Sequence, residues 1–304
     1  MLNQRNAFGS VKSAARATLC IAALMGVGTA NATAPLASAC NLVSAPEEDF
    51  AMQVPFEIID GRIYVQAHVN GRGPFSFAVD TGASGLGRAD TSLVSALDLK
   101  IEQPTANSDG VKTTEVDMTK FDSLDVGGLS RENVQVITRD YNSKMSPETA
   151  FAGIIAREFF ADGLLIIDYP KRTISFSRKL SLSPSQDGVL TYERPFRVPV
   201  SIAGVHTEGN LDTGANVAFV LPQSLFEKVG GTPLQQAGQG QLANSKIETQ
   251  RSTVHGPFQI GRASFWDAEV RVSERYPEVL VGAHALQNFA ILIDQRSKSV
   301  AICQ

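Results

Sequence analysis

A repeat within the chain constrains its fold more than any other sequence feature. The segment Phe-Ala-Val-Asp-Thr-Gly-Ala at residues 77–83 returns as Gly-Asn-Leu-Asp-Thr-Gly-Ala at residues 209–215, an offset of 132. Two later segments return in the same order at an offset of 126, residues 153–156 as 279–282 and residues 164–168 as 290–294. Matches that keep their order along two halves of a chain indicate a duplicated unit, so we predict two similar lobes. The change of offset places an insertion in the first copy, near Tyr141–Phe151.

Local patterns predict mainly β-structure in both lobes. Apolar and polar residues alternate over Arg62–Val69 and Thr173–Ser177, which is typical of strands with one buried face. The first copy has a helix signal near Asp90, a good N-cap, and the second copy has one between Pro222 and Gly230. The predicted fold class is therefore mainly β, with one short helix per lobe.

Composition and turn residues set the predicted domain boundaries. Hydrophobic residues make up 43% and charged residues 19% of the 304 residues, which is an ordinary globular composition. We predict an N-terminal extension over residues 33–50, a first lobe over 51–180, a polar linker over 181–189 and a second lobe over 190–304. The formal net charge of −4 offers no basic surface for nucleic acid.

The first thirty-two residues have the pattern of an export signal. Three basic residues and no acidic one precede or flank the apolar run Ala17–Val27, and Ala30-Asn31-Ala32 follows as a small-x-small cleavage pattern. The run is shorter than the about 20 residues that span a bilayer. We predict a signal peptide over residues 1–32, cleavage after Ala32 and a periplasmic or secreted protein. A plain N-terminal helix and a lipoprotein site at Cys40 are the alternatives.

The repeated Asp-Thr-Gly places a carboxylate at the end of an apolar strand, on a turn that the glycine permits. Lobes related by a two-fold axis would bring Asp80 and Asp212 together on that axis. Two carboxylates in contact hold one proton between them, because both cannot ionise cheaply. The ionised partner can take a proton from a water while the protonated one hydrogen-bonds a carbonyl oxygen. This pattern indicates amide hydrolysis with neither a metal nor a covalent intermediate.

The two motifs resemble those of the bacterial retropepsin/pepsin-like aspartic proteases, and the resemblance extends over about residues 56–304. It implies a bilobal fold of closed β-barrel lobes related by an internal pseudo-two-fold axis. It implies that Asp80 and Asp212 are catalytic, and that further residues support the active site: Thr81, Gly82, Ser84, Thr213 and Gly214. The two threonine hydroxyls would interlock across the lobe interface and hold the carboxylates coplanar.

The same resemblance implies flaps that close over the substrate, near Ser108-Asp109-Gly110 and Gly238-Gln239-Gly240. The sequence departs from the family pattern at three points. Ala156 stands where the family usually has Gly, Asn216 replaces a Ser or Thr, and neither flap contains a Tyr.

The resemblance also implies a polypeptide substrate and no cofactor. The four histidines are scattered without a spacing suited to zinc, the charge argues against nucleic acid and no apolar stretch is long enough to span a bilayer, so we expect no metal, no nucleic acid and no membrane span. We expect a monomer, since both halves of the site lie in one chain. A non-catalytic module that binds peptides or proteins in the same cleft is the alternative, because a fold alone does not imply an activity.

Loss of the signal peptide would remove Cys20 and leave Cys40 and Cys303 as an even pair. Export to an oxidising compartment favours a disulfide between them. In the resembling fold the two chain ends meet in a sheet that bridges the lobes, so we predict the Cys40–Cys303 bridge. Two unrelated thiols, or a lipid anchor at Cys40, remain the alternatives.

Overall fold

The computed structural model describes residues 38–304 apart from 144, 147 and 148, and the predicted signal peptide lies outside the described residues. The strands before the linker are β1 (Met52–Pro55), β2 (Glu57–Ile59), β3 (Arg62–Val69), β4 (Arg72–Asp80), β5 (Gly87–Asp90), β6 (Glu102–Ser108), β7 (Thr113–Val126), β8 (Leu129–Arg139), β9 (Gly153–Ala156), β10 (Leu164–Asp168) and β11 (Thr173–Ser177). The strands after it are β12 (Val189–Thr191), β13 (Arg197–Ile202), β14 (Val205–Asp212), β15 (Phe219–Pro222), β16 (Gln235–Gln241), β17 (Lys246–Val254), β18 (Phe258–Ile260), β19 (Ala263–Phe265), β20 (Ala268–Ser273), β21 (Val279–Gly282), β22 (Ala290–Asp294) and β23 (Ser299–Cys303).

The described helices are short. The α-helices are α1 (Thr91–Ala96), α2 (Gln223–Val229) and α3 (Ala283–Leu286), and 3-10 turns cover Ala39–Ser44, Glu47–Asp49 and Arg157–Phe160. Asp90 caps α1 by accepting a hydrogen bond from the Ser92 N–H, and Gly230 ends α2 with a φ of +68°. None of the described helices is long and apolar enough to cross a membrane.

The prediction of one short helix per lobe is wrong for the second lobe, which contains α3 in addition to α2. The matching segment of the first lobe, Arg157–Phe160, is a 3-10 turn. A single turn is too short to show helical periodicity, and for that reason the sequence pattern did not reveal it.

The first lobe is built on an eight-stranded sheet with the order β2-β3-β4-β9-β5-β8-β7-β6. Strand β9 lies between β4 and β5 and runs parallel to β4, so that Asp80 stands opposite Ala156. Strand β3 also pairs with β7 through His68–Asp125 and Val69–Leu124, which brings distant strands of this sheet together.

The second lobe repeats this arrangement in a nine-stranded sheet with the order β16-β17-β20-β15-β21-β14-β13-β18-β19. Strand β21 lies between β14 and β15 and runs parallel to β14, so that Asp212 stands opposite Gly282. The sequence prediction of two similar, mainly β lobes is therefore confirmed. In the part of the chain that the structure describes, no pairing of the β3–β7 kind is found in this sheet, so closed barrels in both lobes are not confirmed.

A third sheet joins the lobes, in the order β1-β11-β10-β22-β23-β12. Its first three strands precede the linker and its last three follow it, and at its centre Ile166 pairs with Leu292. Leu165 and Ile291 on one face belong to the main core of the lobes. Ile166 and Leu292 on the other face pack against the N-terminal extension. The described part of that extension therefore covers the back of the sheet, opposite the lobe cores.

The structure joins Cys40 to Cys303 in a disulfide, with Cα atoms 5.5 Å apart and a sequence separation of 263 residues. The bridge fastens the extension to the last strand of the shared sheet. It agrees with the pairing predicted from the sequence.

Reduction of this disulfide should lower the free energy of unfolding. Chain-entropy arguments give up to about 5 kcal/mol for so long a loop, since the bridge restricts the unfolded chain. Denaturant unfolding with and without reductant measures the loss, and the Cys40→Ala/Cys303→Ala double variant, which should not respond to reductant, is the control. Equal stability of the wild type in both conditions, or two thiols that alkylate without reductant, would contradict the bridge.

Candidate active site

The two Asp-Thr-Gly loops face each other at the ends of β4 and β14. A Cβ added to Gly82 would lie 2.5 Å from Oδ2 of Asp212, and one added to Gly214 would lie 2.4 Å from Cγ of Asp80. Each carboxylate therefore rests against the glycine of the opposite loop. The structure brings Asp80 and Asp212 together, and only glycine leaves room for them.

The threonines of the two loops interlock across the lobe interface. The Thr81 N–H donates to the Thr213 hydroxyl and the Thr213 N–H donates to the Thr81 hydroxyl, each over 3.1 Å. The Thr81 hydroxyl in turn donates to the Leu211 carbonyl at 3.2 Å, and that of Thr213 to the Val79 carbonyl at 2.8 Å. Both threonines are buried, so every donor and acceptor of this network is satisfied away from water. The network fixes the strand ends that carry the aspartates.

The aspartates receive hydrogen bonds from backbone groups of their own loops. The Ala83 N–H donates to Oδ1 of Asp80 at 2.9 Å, and the Gly214 N–H donates to Oδ1 of Asp212 at 2.8 Å. Burial and the adjacent charge of Asp80 raise the pKa of Asp212 well above its usual range, although the Gly214 N–H opposes this. The pair therefore holds a proton at pH values where an exposed carboxyl would have lost it.

Two arginines support the loops from outside the motifs. Nε of Arg62 donates to the Gly214 carbonyl at 2.7 Å, and Nη1 of Arg157 donates to the Gly82 carbonyl at 3.2 Å. Arg62 belongs to the first lobe, so its contact with Gly214 crosses the lobe interface. Sequence reasoning missed both residues, because a long side chain that reaches a distant carbonyl leaves no local pattern.

The three departures from the family pattern have different outcomes. The Cβ of Ala156 is accommodated in a fully buried position, whereas a Cβ at the matching Gly282 would lie 2.3 Å from the Val217 carbonyl oxygen. Nδ2 of Asn216 donates to Asp60 of the first lobe at 2.5 Å and so adds a contact between the lobes. The third departure, the absence of a flap tyrosine, holds for both hairpins that occupy the flap positions.

Ser84 is exposed, and within the described residues its hydroxyl makes no hydrogen bond to the aspartates. Its predicted supporting role therefore stays a prediction.

Two hairpins occupy the predicted flap positions. The first, β6–β7, turns at residues 109–112, where the sequence places it. The second, β16–β17, contains the predicted segment Gly238–Gly240 in its first strand and turns at residues 242–245. Gly238 has a φ of +75° within strand β16, at a register shift between Gln236 and Gln239. The glycine serves a bulge in the strand, not the turn. Within the described residues, neither turn contains a tyrosine.

The hairpin tips are hydrogen-bonded to each other. The Asn244 N–H and the Ser245 hydroxyl both donate to Oδ2 of Asp109, at 2.7 and 2.8 Å. Nδ2 of Asn244 donates to the carbonyls of Asn107 and Lys112 at 2.6 and 2.8 Å. Burial raises the pKa of Asp109, but the hydrogen bonds that its carboxylate accepts outweigh this and lower it. The tips of the two lobes thus meet through an ionised carboxylate.

Tyr141 and Tyr276 lie shortly after the ends of β8 and β20 in the two lobes. Burial raises the pKa of both tyrosines, to about 12 for Tyr276. The charge of Asp80 contributes a smaller increase for Tyr141, and the charge of Asp212 does so for Tyr276. Each tyrosine therefore lies within electrostatic range of one aspartate. The connection that carries Tyr141, residues 140–152, is longer than its counterpart at 274–278, as the predicted insertion requires.

Duplicated β lobes with paired Asp-Thr-Gly loops are the architecture of two-lobed aspartyl proteases. A model of the aspartyl protease family matches residues 65–159 and 198–285, one segment in each lobe and together more than half of the chain. The chain belongs to the aspartyl protease family. No curated protein gives a significant match to the sequence.

Proposed function

We propose that this protein is an aspartic endopeptidase in which Asp80 and Asp212 activate a water for the hydrolysis of a peptide bond. The observation that carries the proposal is the contact of each carboxylate with the glycine of the opposite loop. The family match supports a protease-type fold. The mutual position of the two carboxylates supports the activity.

The raised pKa of Asp212 assigns different tasks to the two carboxyls. With one proton on the pair, the ionised carboxylate removes a proton from a water as that water attacks the peptide carbonyl. The protonated carboxyl hydrogen-bonds the carbonyl oxygen and stabilises its developing charge. The proton then passes to the departing amine nitrogen, and the pair returns to its one-proton state. The glycines and threonines of the loops act by holding the two carboxylates in place.

We propose further that the protein is exported and works as a monomer in the periplasm or outside the cell. The Cys40–Cys303 disulfide supports this location, since disulfides persist in oxidising compartments. Intact mass of the protein recovered from the periplasm tests it, with a chain that begins at Thr33 as the expected species. Recovery of the full-length chain from the cytoplasm would contradict it.

Cleavage of denatured casein, followed by mass spectrometry, tests the activity. The wild type should produce defined fragments, and a pepstatin-type inhibitor should suppress them because it occupies the site between the aspartates. A chelator should have no effect. Intact casein after prolonged incubation, with casein bound by the protein, would favour the non-catalytic binding module.

A further inference from the structure

The sheet of the first lobe contains a buried arginine without an ion-pair partner in the described part of the chain. Arg88 lies on β5 opposite Ile154 of β9, and only 8% of it is exposed. Its Nε is buried and makes no hydrogen bond. Burying an unpaired guanidinium is costly, so its presence needs a reason.

Arg88 shares a face of the sheet with the catalytic side of β4. Tyr64 pairs with Ala78, Ala78 with Ile154 and Ile154 with Arg88, so these side chains form one row across the sheet. Asp80 follows Ala78 by two residues and therefore projects from the same face. With one strand between them, β5 and β4 lie about 10 Å apart, which is the reach of two or three residues of an extended peptide.

Two further polar side chains lie beside Arg88. The hydroxyl of Tyr141 is buried, which raises its pKa, and the charge of Arg88 and hydrogen bonding with it oppose this increase. Nε of Arg139 is buried without a hydrogen-bond partner, but its terminal nitrogens donate to the Ala243 carbonyl and to the side-chain oxygens of Asn107 and Asn244. Arg139 pairs with Asp90 in register, two residues along β5 from Arg88, and so lies on the same face. Burial lowers the pKa of Arg139; the charge of Tyr141 opposes this, that of Arg88 adds to it, and that of Asp109 opposes it. The Arg88 guanidinium and the Tyr141 hydroxyl therefore lie together, while Arg139 ties this part of the sheet to the hairpin tips.

The nearest carboxylate along the strand does not neutralise this cluster. Oδ1 of Asp90 accepts hydrogen bonds from the N–H and the hydroxyl of Ser92, and Oδ2 accepts them from the N–H groups of Tyr141 and Asn142. Asp90 is thus used to cap α1 and to anchor the chain after β8. Within the described residues, none of the ion pairs involves Arg88.

The second lobe shows that the fold does not require an arginine here. Val220 of β15 stands opposite Leu280 of β21, as Arg88 stands opposite Ile154. At the position of Arg139 the second lobe has Ser273. The two arginines therefore belong to the first copy of the repeat alone.

We propose that Arg88, with Tyr141, forms a subsite for an acidic side chain of the substrate, Asp or Glu, within about three residues of the cleaved bond on the first-lobe side. The proposal rests on the proposed peptidase function and names its substrate class. A carboxylate there would accept charge-assisted hydrogen bonds from the Arg88 guanidinium, whose Nε has no partner among the described residues, and a hydrogen bond from the Tyr141 hydroxyl. An Asn or Gln side chain has the same shape but no charge, so it would add much less to the affinity of the peptide.

A binding experiment tests the subsite without requiring cleavage. The Asp212→Asn protein is immobilised and exposed to two pools of ten-residue peptides, degenerate except for a central Glu or a central Gln, and retained peptides are counted by mass spectrometry. We expect the Glu pool to be retained about tenfold or more above the Gln pool. Adding Arg88→Val, the residue type of the second lobe, should reduce this ratio to about one, and Tyr141→Phe should reduce it partially.

Arg72→Val removes an exposed arginine from the far end of β4 and is the matched control, with the Glu-to-Gln ratio expected to stay at its original value. Thermal melting of each variant shows whether it is folded, and Arg88→Gln replaces Arg88→Val if the latter is not. A ratio near one for the parent protein, or a ratio that survives loss of Arg88, overturns the proposal. An Arg88-dependent ratio in a protein that never cuts casein would sustain the subsite and refute the peptidase.

Discussion

Replacement of Asp212 by Asn should lower the rate of peptide-bond cleavage about a thousandfold or more, and Asp80→Asn should do the same. Either change removes the carboxylate pair that shares one proton, so each single variant should lose nearly as much as the double variant. Single-turnover cleavage of a casein peptide measures this. Asp122→Asn, which removes an exposed charge of the first lobe, is the control. Near-normal turnover by either dyad variant would refute the assignment.

Asp212→Asn should also make the protein more stable at neutral pH. The pKa of Asp212 is raised in the folded state. Once the pH exceeds about 4, the pKa of an unfolded Asp, the unfolded chain has lost this proton and folding must take it up again, which lowers the free energy of unfolding. Asp212→Asn removes this cost, and the gain should vanish below that pH, where the wild type is protonated in both states. A variant that is inactive and less stable at pH 7 would instead indicate damage to the loop.

Gly214→Ala and Gly82→Ala should each reduce turnover about a hundredfold or more. The new Cβ would lie 2.4 Å from Cγ of Asp80 in one case and 2.5 Å from Oδ2 of Asp212 in the other, so a carboxylate or a loop must move. A displacement on the order of 1 Å at the reacting groups is enough for a loss of this size. Rates for both variants with one casein peptide measure the effect.

Gly71→Ala separates damage to the site from backbone strain. Gly71 has a φ of +69°, and its added Cβ would have nothing within 4 Å. It should therefore lose stability and keep its turnover. Equal turnover by Gly214→Ala and Gly71→Ala would show that the glycines do not hold the carboxylates in place.

The sequence predicts the elements that follow local rules or the repeat. Strand alternation, the cap at Asp90 and the two Asp-Thr-Gly loops each have a short-range signature, and duplication implies that Asp80 and Asp212 meet. The Cys40–Cys303 pair follows from counting cysteines and from the resemblance to a known fold. These features depend on residues near in sequence or on symmetry.

The features that the sequence misses depend on contacts between distant segments. The sequence locates the second hairpin near Gly238, but only the register of β16 and β17 shows that Gly238 serves a bulge and that the turn lies at residues 242–245. Asn244 joins the two hairpin tips over a separation of 135 residues from Asp109. Arg62 supports Gly214 from the other lobe. Only the packed lobes define such partners.

The pH dependence of kcat/KM for a cleaved peptide tests most directly whether Asp80 and Asp212 share a proton. Ala83 and Ala215 supply no hydroxyl to the ionised form, and Asp212 has a raised pKa. The rate should therefore follow a bell, falling at low pH as the pair gains a second proton and at high pH as it loses its last. We expect the high-pH fall to come near neutrality. A flat pH profile would contradict the account. So would a value of kcat/KM that has already fallen to half its maximum at about pH 5, as expected for a pair with pepsin's upper pKa of about 4.7.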